Sequence, residues 1–271
     1  MAARDYRHSG NPKHWPGMVL MAVSFFAYVY LPIAILIGLS FNENEQATIW
    51  TGFSLDWYLK ALHNDDMINA AKNSLIIAAV ASALSTSLAT LAAVRMTFDR
   101  FRGQTAVGAL IALPLTLPEI VTAVATLMLF SLVGLPLGLT SVILAHTVFC
   151  IPFAYLPIKA QLDRFDPKLM EAAGDLYARP LSTFFYVTLP LLAPGILSGA
   201  VLAFIISLDD FVTTFFVGGA GSTTLPLYIF GLIRVGVSPE VNAISTIMLV
   251  ISIVMVSLSL LLNRGQEQAD D

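Results

Sequence analysis

Three acidic residues stand inside otherwise apolar stretches of this 271-residue chain, and they are the first candidates for chemistry. Glu119 lies near the middle of one such stretch, and the adjacent Asp209 and Asp210 lie toward the end of another. A charged side chain within a membrane span costs at least about 2.5 kcal/mol on insertion scales, so intramembrane acids are functional candidates by default. Ser207 could add a hydroxyl beside the two aspartates. Together these side chains could line the path of a cationic cargo.

The surroundings of the acids predict a broken helix. About 14 residues precede Glu119 in its stretch, and a rise of about 1.5 Å per residue places it near mid-membrane. Pro114 and Pro118 come just before it, so the helix is expected to be kinked or broken there. A broken helix at this depth is tolerated where it lines a cavity. Adjacent helical positions diverge by about 100°, so only one of Asp209 and Asp210 can face a central path.

The charge balance of these stretches leaves several partners open for the acids. No Lys or Arg lies within them, so the acids are expected to lack a basic partner in this chain. They are then protonated, or paired by a second protein, or paired by the cargo. A polyamine would suit acids for its ammonium groups and aromatic rings for cation–π contact. The structural alternative is that the two aspartates cap the outer end of their span.

Other residue types that carry chemistry are sparse. His146 stands without metal-ligand company and is predicted to be a hydrogen-bonded packing residue. The single cysteine, Cys150, cannot form an internal disulfide and is predicted to be a small buried hydrophobe. There is no Walker pattern, zinc-ligand spacing or Ser-His-Asp arrangement, so we expect neither catalytic residues nor a metal site. Hydrolytic chemistry would have to come from a partner.

Composition and segment length predict the fold class. The chain is 57% hydrophobic and only 12% charged, whereas soluble domains carry roughly 25% charged residues. The net charge of -4 argues against a nucleic-acid partner. A spanning helix needs about 20 apolar residues. We therefore predict an all-α membrane protein, one transmembrane domain over residues 1–271, with six spans at 17–39, 74–94, 105–133, 135–158, 189–217 and 241–262.

Two of these spans have special features. The first is longer than the roughly 7–15 residues of a signal-peptide core and has no small-x-small cleavage pattern, so an uncleaved span is expected. The second, 74–94, is mostly Ala, Ser and Thr. Small residues let helix backbones approach closely in lipid, so this helix is expected to pack against protein.

The distribution of Lys and Arg predicts the orientation. Six spans place both termini on one side, and that side collects 11 of the 14 basic residues. By the positive-inside rule this side is cytoplasmic, as in a bacterial inner-membrane protein. The loop 40–73 is then external, and it carries five acids with Trp50, Trp57 and Tyr58. It is either a helix lying on the outer membrane surface or a docking surface for cationic cargo, with Trp57 a candidate pathway residue.

The predicted cytoplasmic loop 159–188 contains a short amphipathic helix. Asp166-Pro167 is a strong start signal, and Pro180 limits the helix. Such a helix could lie on the membrane surface or insert its apolar face into a groove of another protein. Its apolar positions are Leu169, Met170, Ala173, Leu176 and Tyr177.

This loop resembles the EAA loop of binding-protein-dependent ABC importer permeases. Glu171-Ala172-Ala173 and the downstream Val187-Thr188-Leu189-Pro190 have the family's spacing. Tyr177 occupies the position of the family's glycine, which forms a turn between two short helices, and a glycine stands three residues earlier. The resemblance implies an ATPase-coupling site made of Glu171, Ala172, Ala173, Gly174, Leu176 and Tyr177.

A wider resemblance, to the spermidine/putrescine permease subfamily, covers nearly the whole chain. It implies an ABC importer type I permease fold, with a cytoplasmic coupling helix, that moves polyamines by alternating access. The implied partners are two ATP-binding subunits, a second homologous permease, a periplasmic substrate-binding protein and membrane lipid. ATP and Mg²⁺ would be bound by the ATPase, and this chain would hold no cofactor. The segments that carry the resemblance are 40–42, 57–58, 101–103, 118–121, 207–210 and 235–243.

Two other interpretations remain open. One is an ABC importer permease for another cationic or small-metabolite cargo. The other is a secondary transporter, in which the acids would relay protons or sodium ions. The EAA loop argues against the second, because a secondary transporter needs no ATPase-docking helix. An inverted repeat would have favoured it, and none is evident.

Overall fold

The computed structural model describes residues 16–46, 49–166, 168–236 and 238–267, and these ranges are almost entirely helical. A single isolated bridge, between Asn42 and Phe53, interrupts the helical pattern of the described ranges. The helices are α1 (Pro16–Leu39), α2 (Asp56–Leu62), α3 (Asp65–Phe98), α4 (Gln104–Thr116), α5 (Glu119–Leu132), α6 (Leu139–Leu162), α7 (Lys168–Asp175), α8 (Pro180–Thr183), α9 (Leu189–Asp209), α10 (Val212–Val217), α11 (Leu225–Val235) and α12 (Pro239–Glu267).

The predicted all-α class is confirmed, and the described residues contain five or six candidate spans. Five helices of the described part are long and apolar enough to cross a membrane, and the bent pair α4 and α5 makes a sixth span if the two helices cross together. The bounds differ from the prediction at several ends. The second span, for example, begins at Asp65 and not at Ser74, because the side chain of Asn64 accepts the N–H groups of Asp66 and Met67 and so caps the helix earlier.

The third span is broken where the prolines predicted. Helix α4 ends at Thr116, α5 begins at Glu119, and the two axes meet at 115°. Leu117 and Pro118 between them have extended backbone conformations. Proline has no N–H to continue the helical hydrogen bonds, which accounts for a break at this point. The expectation of a kinked or broken helix before Glu119 is therefore confirmed.

The fifth span starts earlier than predicted and stops earlier. A continuous helix runs from Pro180 to Asp209, so the last part of the predicted loop 159–188 belongs to this helix. Proline is favoured in the first turn of a helix, which makes Pro180 a start as well as a stop. A π-helical turn, Phe184–Thr188, ends two residues before Pro190, which cannot donate an N–H. The helix ends at Asp209, and a new one begins at Val212.

The chain divides into two compact units. The larger comprises residues 62–235 and 248–271, and its core is formed by α3, α6 and α9. The face of α3 that is rich in Ala, Ser and Thr is buried, which confirms that this helix packs against protein. Helices α6 and α9 approach closely at Gly199, where a Cβ atom would lie 2.6 Å from the carbonyl oxygen of Ala154. Gly195 and Gly199 thus form a small-xxx-small contact.

The smaller unit comprises residues up to 61 together with 236–247. Its loop after α1 is organised by the buried side chain of Asn42, whose Nδ2 donates to the Ile49 carbonyl at 2.7 Å and whose Oδ1 accepts the Thr51 N–H at 3.2 Å. The indole N–H of Trp57 donates to the Asn42 carbonyl at 2.9 Å. Only 8% of Trp57 is exposed, so this ring forms part of the loop's own core.

Candidate functional site

A cleft of about 330 Å³ in the larger unit contains all three intramembrane acids. Glu119 is the first residue of α5, and Asp209 and Asp210 come from the end of α9. Aromatic rings from α6 and from the α9–α10 junction supply part of the apolar wall. The cleft is lined by Glu119, Phe149, Phe153, Ile205, Ile206, Asp209, Asp210, Phe211 and Val212.

The cleft lies where two spans are interrupted. Glu119 follows the break between α4 and α5, and Asp210 forms the break between α9 and α10. The backbone of Asp210 is extended, with φ −65° and ψ 125°. Its carboxylate then accepts the N–H groups of Thr213, at 3.4 Å, and Thr214, at 3.1 Å, at the start of α10. Asp210 therefore caps the start of α10, whereas the structural alternative had both aspartates capping the outer end of their span.

The two aspartates differ in their surroundings. Asp209 is exposed, whereas the side chain of Asp210 is 1% exposed. This separation agrees with the expectation that neighbouring helical positions cannot face the same way. Glu119 is half-buried, and its carboxyl group lies within interaction range of Asp210. The side-by-side position of Glu119 and Asp210 was not predicted, because counting residues had placed them at different depths.

Asp210 has a basic partner within the chain, and the expectation that none exists is wrong for this residue. The Nε2 atom of the fully buried His146 lies 3.1 Å from Asp210 Oδ1 and 3.0 Å from Thr214 Oγ1. Its Nδ1 atom lies 2.8 Å from Ser207 Oγ. The expectation rests on Lys and Arg, and the partner is a histidine. His146 is the hydrogen-bonded packing residue that was predicted, and it also contacts the acidic cleft.

The remaining predicted pathway residues do not line the cleft. Ser207 is buried behind it and holds His146. Trp57 belongs to the smaller unit, where the ammonium group of Lys60 lies 4.1 Å from the ring centroid. The aromatic lining was missed, although a signal for it exists: His146, Phe149 and Phe153 stand at positions i, i+3 and i+7 and so share one face of α6.

The predicted coupling loop contains a short helix followed by a tight turn. Asp166 accepts the N–H of Lys168 at 3.0 Å, which confirms its capping role, while Pro167 lies outside the described residues. Helix α7 contains Glu171, Ala172, Ala173 and Gly174. The two alanines of the motif differ, since Ala172 is exposed and Ala173 is buried.

The turn after α7 is made by the tyrosine that replaces the family's glycine. Tyr177 has a φ of +58°, and among the described residues no other non-glycine residue has a positive φ. This region of backbone space is one that glycine enters freely and other residues rarely enter. Leu176 and Tyr177 are 82% and 95% exposed, so an apolar surface is presented at the turn.

Comparison with known proteins gives a consistent family. The family described as binding-protein-dependent transport system inner membrane component matches residues 85–270. The chain is 44% identical to the spermidine/putrescine transport system permease protein PotC of Haemophilus influenzae, over 88% of this chain and 93% of that protein. It is 40% identical to the putrescine transport system permease protein PotI of Escherichia coli strain K12, over 86% of each.

Solved structures show the same fold. A bacterial ABC transporter involved in the import of the acidic polysaccharide alginate matches with a TM-score of 0.73 at 18% identity, covering 92% of this chain and 94% of that one. The methionine ABC transporter MetNI, in inward-facing conformations, matches with a TM-score of 0.64 at 18% identity, covering 74% and 98%. The predicted ABC importer permease fold is thereby confirmed.

Proposed function

We propose that this chain, which belongs to the family of binding-protein-dependent transport system inner membrane components, is the permease of an ATP-driven polyamine importer. Proteins of this family are transport subunits and not enzymes. In this role it moves putrescine or spermidine across the bacterial inner membrane by alternating access. The names of the relatives support the cargo class. The observation on which the proposal depends most is the cleft in which acids and aromatic rings meet.

The composition of the cleft suits a flexible chain that carries several ammonium groups. The carboxyl groups of Glu119 and Asp209 attract the charged ends. The rings of Phe149, Phe153 and Phe211 offer faces to an ammonium group and apolar contact to the methylene segments. Both acids stand next to helix breaks, and irregular backbone at membrane depth is tolerated where it lines a cavity. Such a cleft would release its cargo more easily than a fully enclosed site.

The partners follow from the same proposal. Two ATP-binding subunits, a second homologous permease and a periplasmic substrate-binding protein complete the importer. ATP and Mg²⁺ are bound by the ATPase, and this chain holds no cofactor. Helix α7 and the turn after it dock on the ATPase, with both chain termini in the cytoplasm. The exposed apolar surface at Leu176 and Tyr177 supports this docking role. The coupling residues are Glu171, Ala172, Ala173, Gly174, Leu176 and Tyr177.

Charge-removing variants of the cleft test the cargo path. Glu119→Gln and Asp209→Asn keep the size of each side chain and remove only the negative charge. Each is expected to lower uptake of radiolabelled putrescine and spermidine by about tenfold, equivalent to about 1.4 kcal/mol, in cells that lack their own polyamine importers. Asp163→Asn, at an exposed acid outside the cleft, is the matched control and should transport normally.

The amounts of protein in the membrane and of bound ATPase must be measured in the same cells. A structural role for the acids predicts poor expression, with the residual uptake proportional to the protein present. Normal transport by the Glu119→Gln/Asp209→Asn double variant would remove these acids from the cargo path. The family membership would be unaffected by that result, because it rests on the similarity of the whole chain.

A further inference from the structure

Within the acidic cleft, the carboxylate of Asp210 is already occupied by hydrogen-bond donors of its own chain. Its Oδ1 atom lies 3.1 Å from His146 Nε2, 3.1 Å from the Thr214 amide nitrogen and 3.4 Å from the Thr214 hydroxyl. Its Oδ2 atom accepts from the Thr213 amide at 3.4 Å. An ionised carboxylate offers about four acceptor positions. Oδ1 therefore has no acceptor position left for an ammonium group of the cargo, and the carboxylate also interacts with the neighbouring Glu119 carboxyl group.

The histidine that contacts Asp210 is equally satisfied. An ionised carboxylate can only accept, so the proton facing Asp210 belongs to Nε2 of His146. The same N–H faces the Thr214 hydroxyl, which donates onward to Asp210. The other ring nitrogen, Nδ1, meets the Ser207 hydroxyl at 2.8 Å, and a hydroxyl can either donate or accept. His146 is therefore hydrogen-bonded through both nitrogens.

This buried network connects three helices at the break in the fifth span. His146 comes from α6, Ser207 from α9 and Thr214 from α10, and Asp210 lies between the last two. His146, Ser207 and Thr214 are all buried. Buried polar groups left without a partner are costly, which makes the network a strong constraint on the direction in which the chain leaves α9.

We propose that His146 is a positioning residue of the cargo cleft, which acts through Asp210. The pair holds the α9–α10 break in place, and this break sets the position of the exposed Asp209 in the cleft. Asp210 is then an anchor of the helix break, and the cargo is bound by Asp209 and Glu119. The transport part of this inference rests on the proposed function; the anchoring part does not.

Conservative and non-conservative variants separate an anchor from a cargo ligand. Asp210→Asn keeps an oxygen that can accept from His146 and Thr214, whereas Asp210→Leu keeps none. The expected uptake of putrescine, per amount of importer in the membrane, falls by less than about threefold for Asp210→Asn, by about tenfold for Asp209→Asn and by more than about tenfold for Asp210→Leu. Asp209→Asn is the matched control, because it makes the same chemical change at the neighbouring position.

A second pair of variants tests the coupling between the two residues directly. His146→Leu leaves the buried carboxylate of Asp210 without its imidazole donor and should lower uptake by more than about tenfold. Adding Asp210→Asn to His146→Leu removes the unpaired charge and should raise uptake by at least about threefold over His146→Leu. A cargo ligand at position 210 predicts the opposite, since the second substitution would then lower uptake further.

The measurements are made on the importer assembled with its partner subunits, as KM and maximal rate of uptake and as the melting temperature of the purified complex. The inference would be overturned if uptake by Asp210→Asn fell as far as uptake by Asp209→Asn. It would also be overturned if the double variant were no better than His146→Leu in both uptake and melting temperature. Normal uptake by Asp209→Asn and Glu119→Gln would instead refute the proposed cargo path. In that case the anchoring role is still decided by whether Asp210→Asn restores the melting temperature lost in His146→Leu.

Discussion

At the scale of single residues, the turn after α7 yields a prediction about backbone conformation. Tyr177 has a φ of +58°, which costs an L-residue other than glycine roughly 1–2 kcal/mol. Gly and Asn enter this region more easily than Tyr, while a β-branched residue enters it least easily. We expect Tyr177→Gly and Tyr177→Asn to retain association with the ATPase and Tyr177→Val to weaken it, as measured by co-purification.

The same series tells whether the ring or the backbone of Tyr177 matters. Equal co-purification of the Val variant and the unchanged chain would show that the turn conformation is not needed for docking. Loss of association in both Gly and Asn variants, with retention in Tyr177→Phe, would assign the role to the exposed ring. In each case the membrane amount of the variant is the control.

Residue chemistry could be predicted for the acids and not for their partner. A carboxyl group in an apolar stretch is visible in the sequence because of its cost. His146 contacts residues that stand 61 or more positions away in the chain, Ser207 and Asp210 among them, and no local spacing marks these contacts. The turn after α7 was partly predictable, because Tyr177 stands where the family has a glycine. Its φ of +58° is one that glycine adopts freely.

At the scale of elements, the contact of α6 with α9 predicts an asymmetric response of two glycines. A Cβ atom at Gly199 would lie 2.6 Å from the Ala154 carbonyl oxygen, and backbone would have to move to admit it. A Cβ atom at Gly38, in α1, would meet nothing within 4 Å. Gly199→Ala should therefore lower the melting temperature of the purified protein, although alanine is the better helix former by about 1 kcal/mol. Gly38→Ala is the control and should leave it unchanged or raise it.

A Gly199→Ala variant as stable as the Gly38→Ala control would show that the two helices can separate at no cost. Uptake measured beside stability extends the test. Because α6 and α9 both contribute to the acidic cleft, a shift between them is expected to lower uptake even where the protein is still inserted.

Of the two breaks in the spans, only one was visible in advance. Pro114 and Pro118 marked the break before Glu119, since proline ends helical hydrogen bonding. No Pro or Gly lies between Ser207 and Thr214, and the break at Asp210 is instead held by side-chain hydrogen bonds to the next helix. Proline and glycine mark helix breaks in a sequence, but the sequence does not show that the carboxylate of Asp210 accepts the N–H groups of the next helix.

At the scale of the whole molecule, the chain brings its two irregular points together around one cleft. Helix α5, which begins at Glu119, packs against α10, which begins just after Asp210. The carboxyl groups beside the two breaks, those of Glu119 and Asp210, thus lie in the same cleft. The apolar segments and the fold class could be predicted, because they depend on composition and length. The meeting of the breaks could not, because it depends on packing between spans that lie far apart in the sequence.

The orientation of the whole molecule gives the last prediction. The distribution of 14 Lys and Arg residues predicts that both termini and α7 lie in the cytoplasm and that the loop after α1 lies outside. The native Cys150 is fully buried, and its replacement by alanine gives a parent without reactive thiols. In that parent, Asn44→Cys should react with a membrane-impermeant maleimide in intact cells, whereas Gln266→Cys should react only after the membrane is opened. Asn44 is half-exposed in its loop, which makes it accessible to such a reagent.

Labelling of position 266 in intact cells would contradict the six-span count, because an even number of spans keeps the two termini on one side. The bent pair α4 and α5 would then have to be a re-entrant segment, and Glu119 would lie on a loop that dips into the membrane from one side.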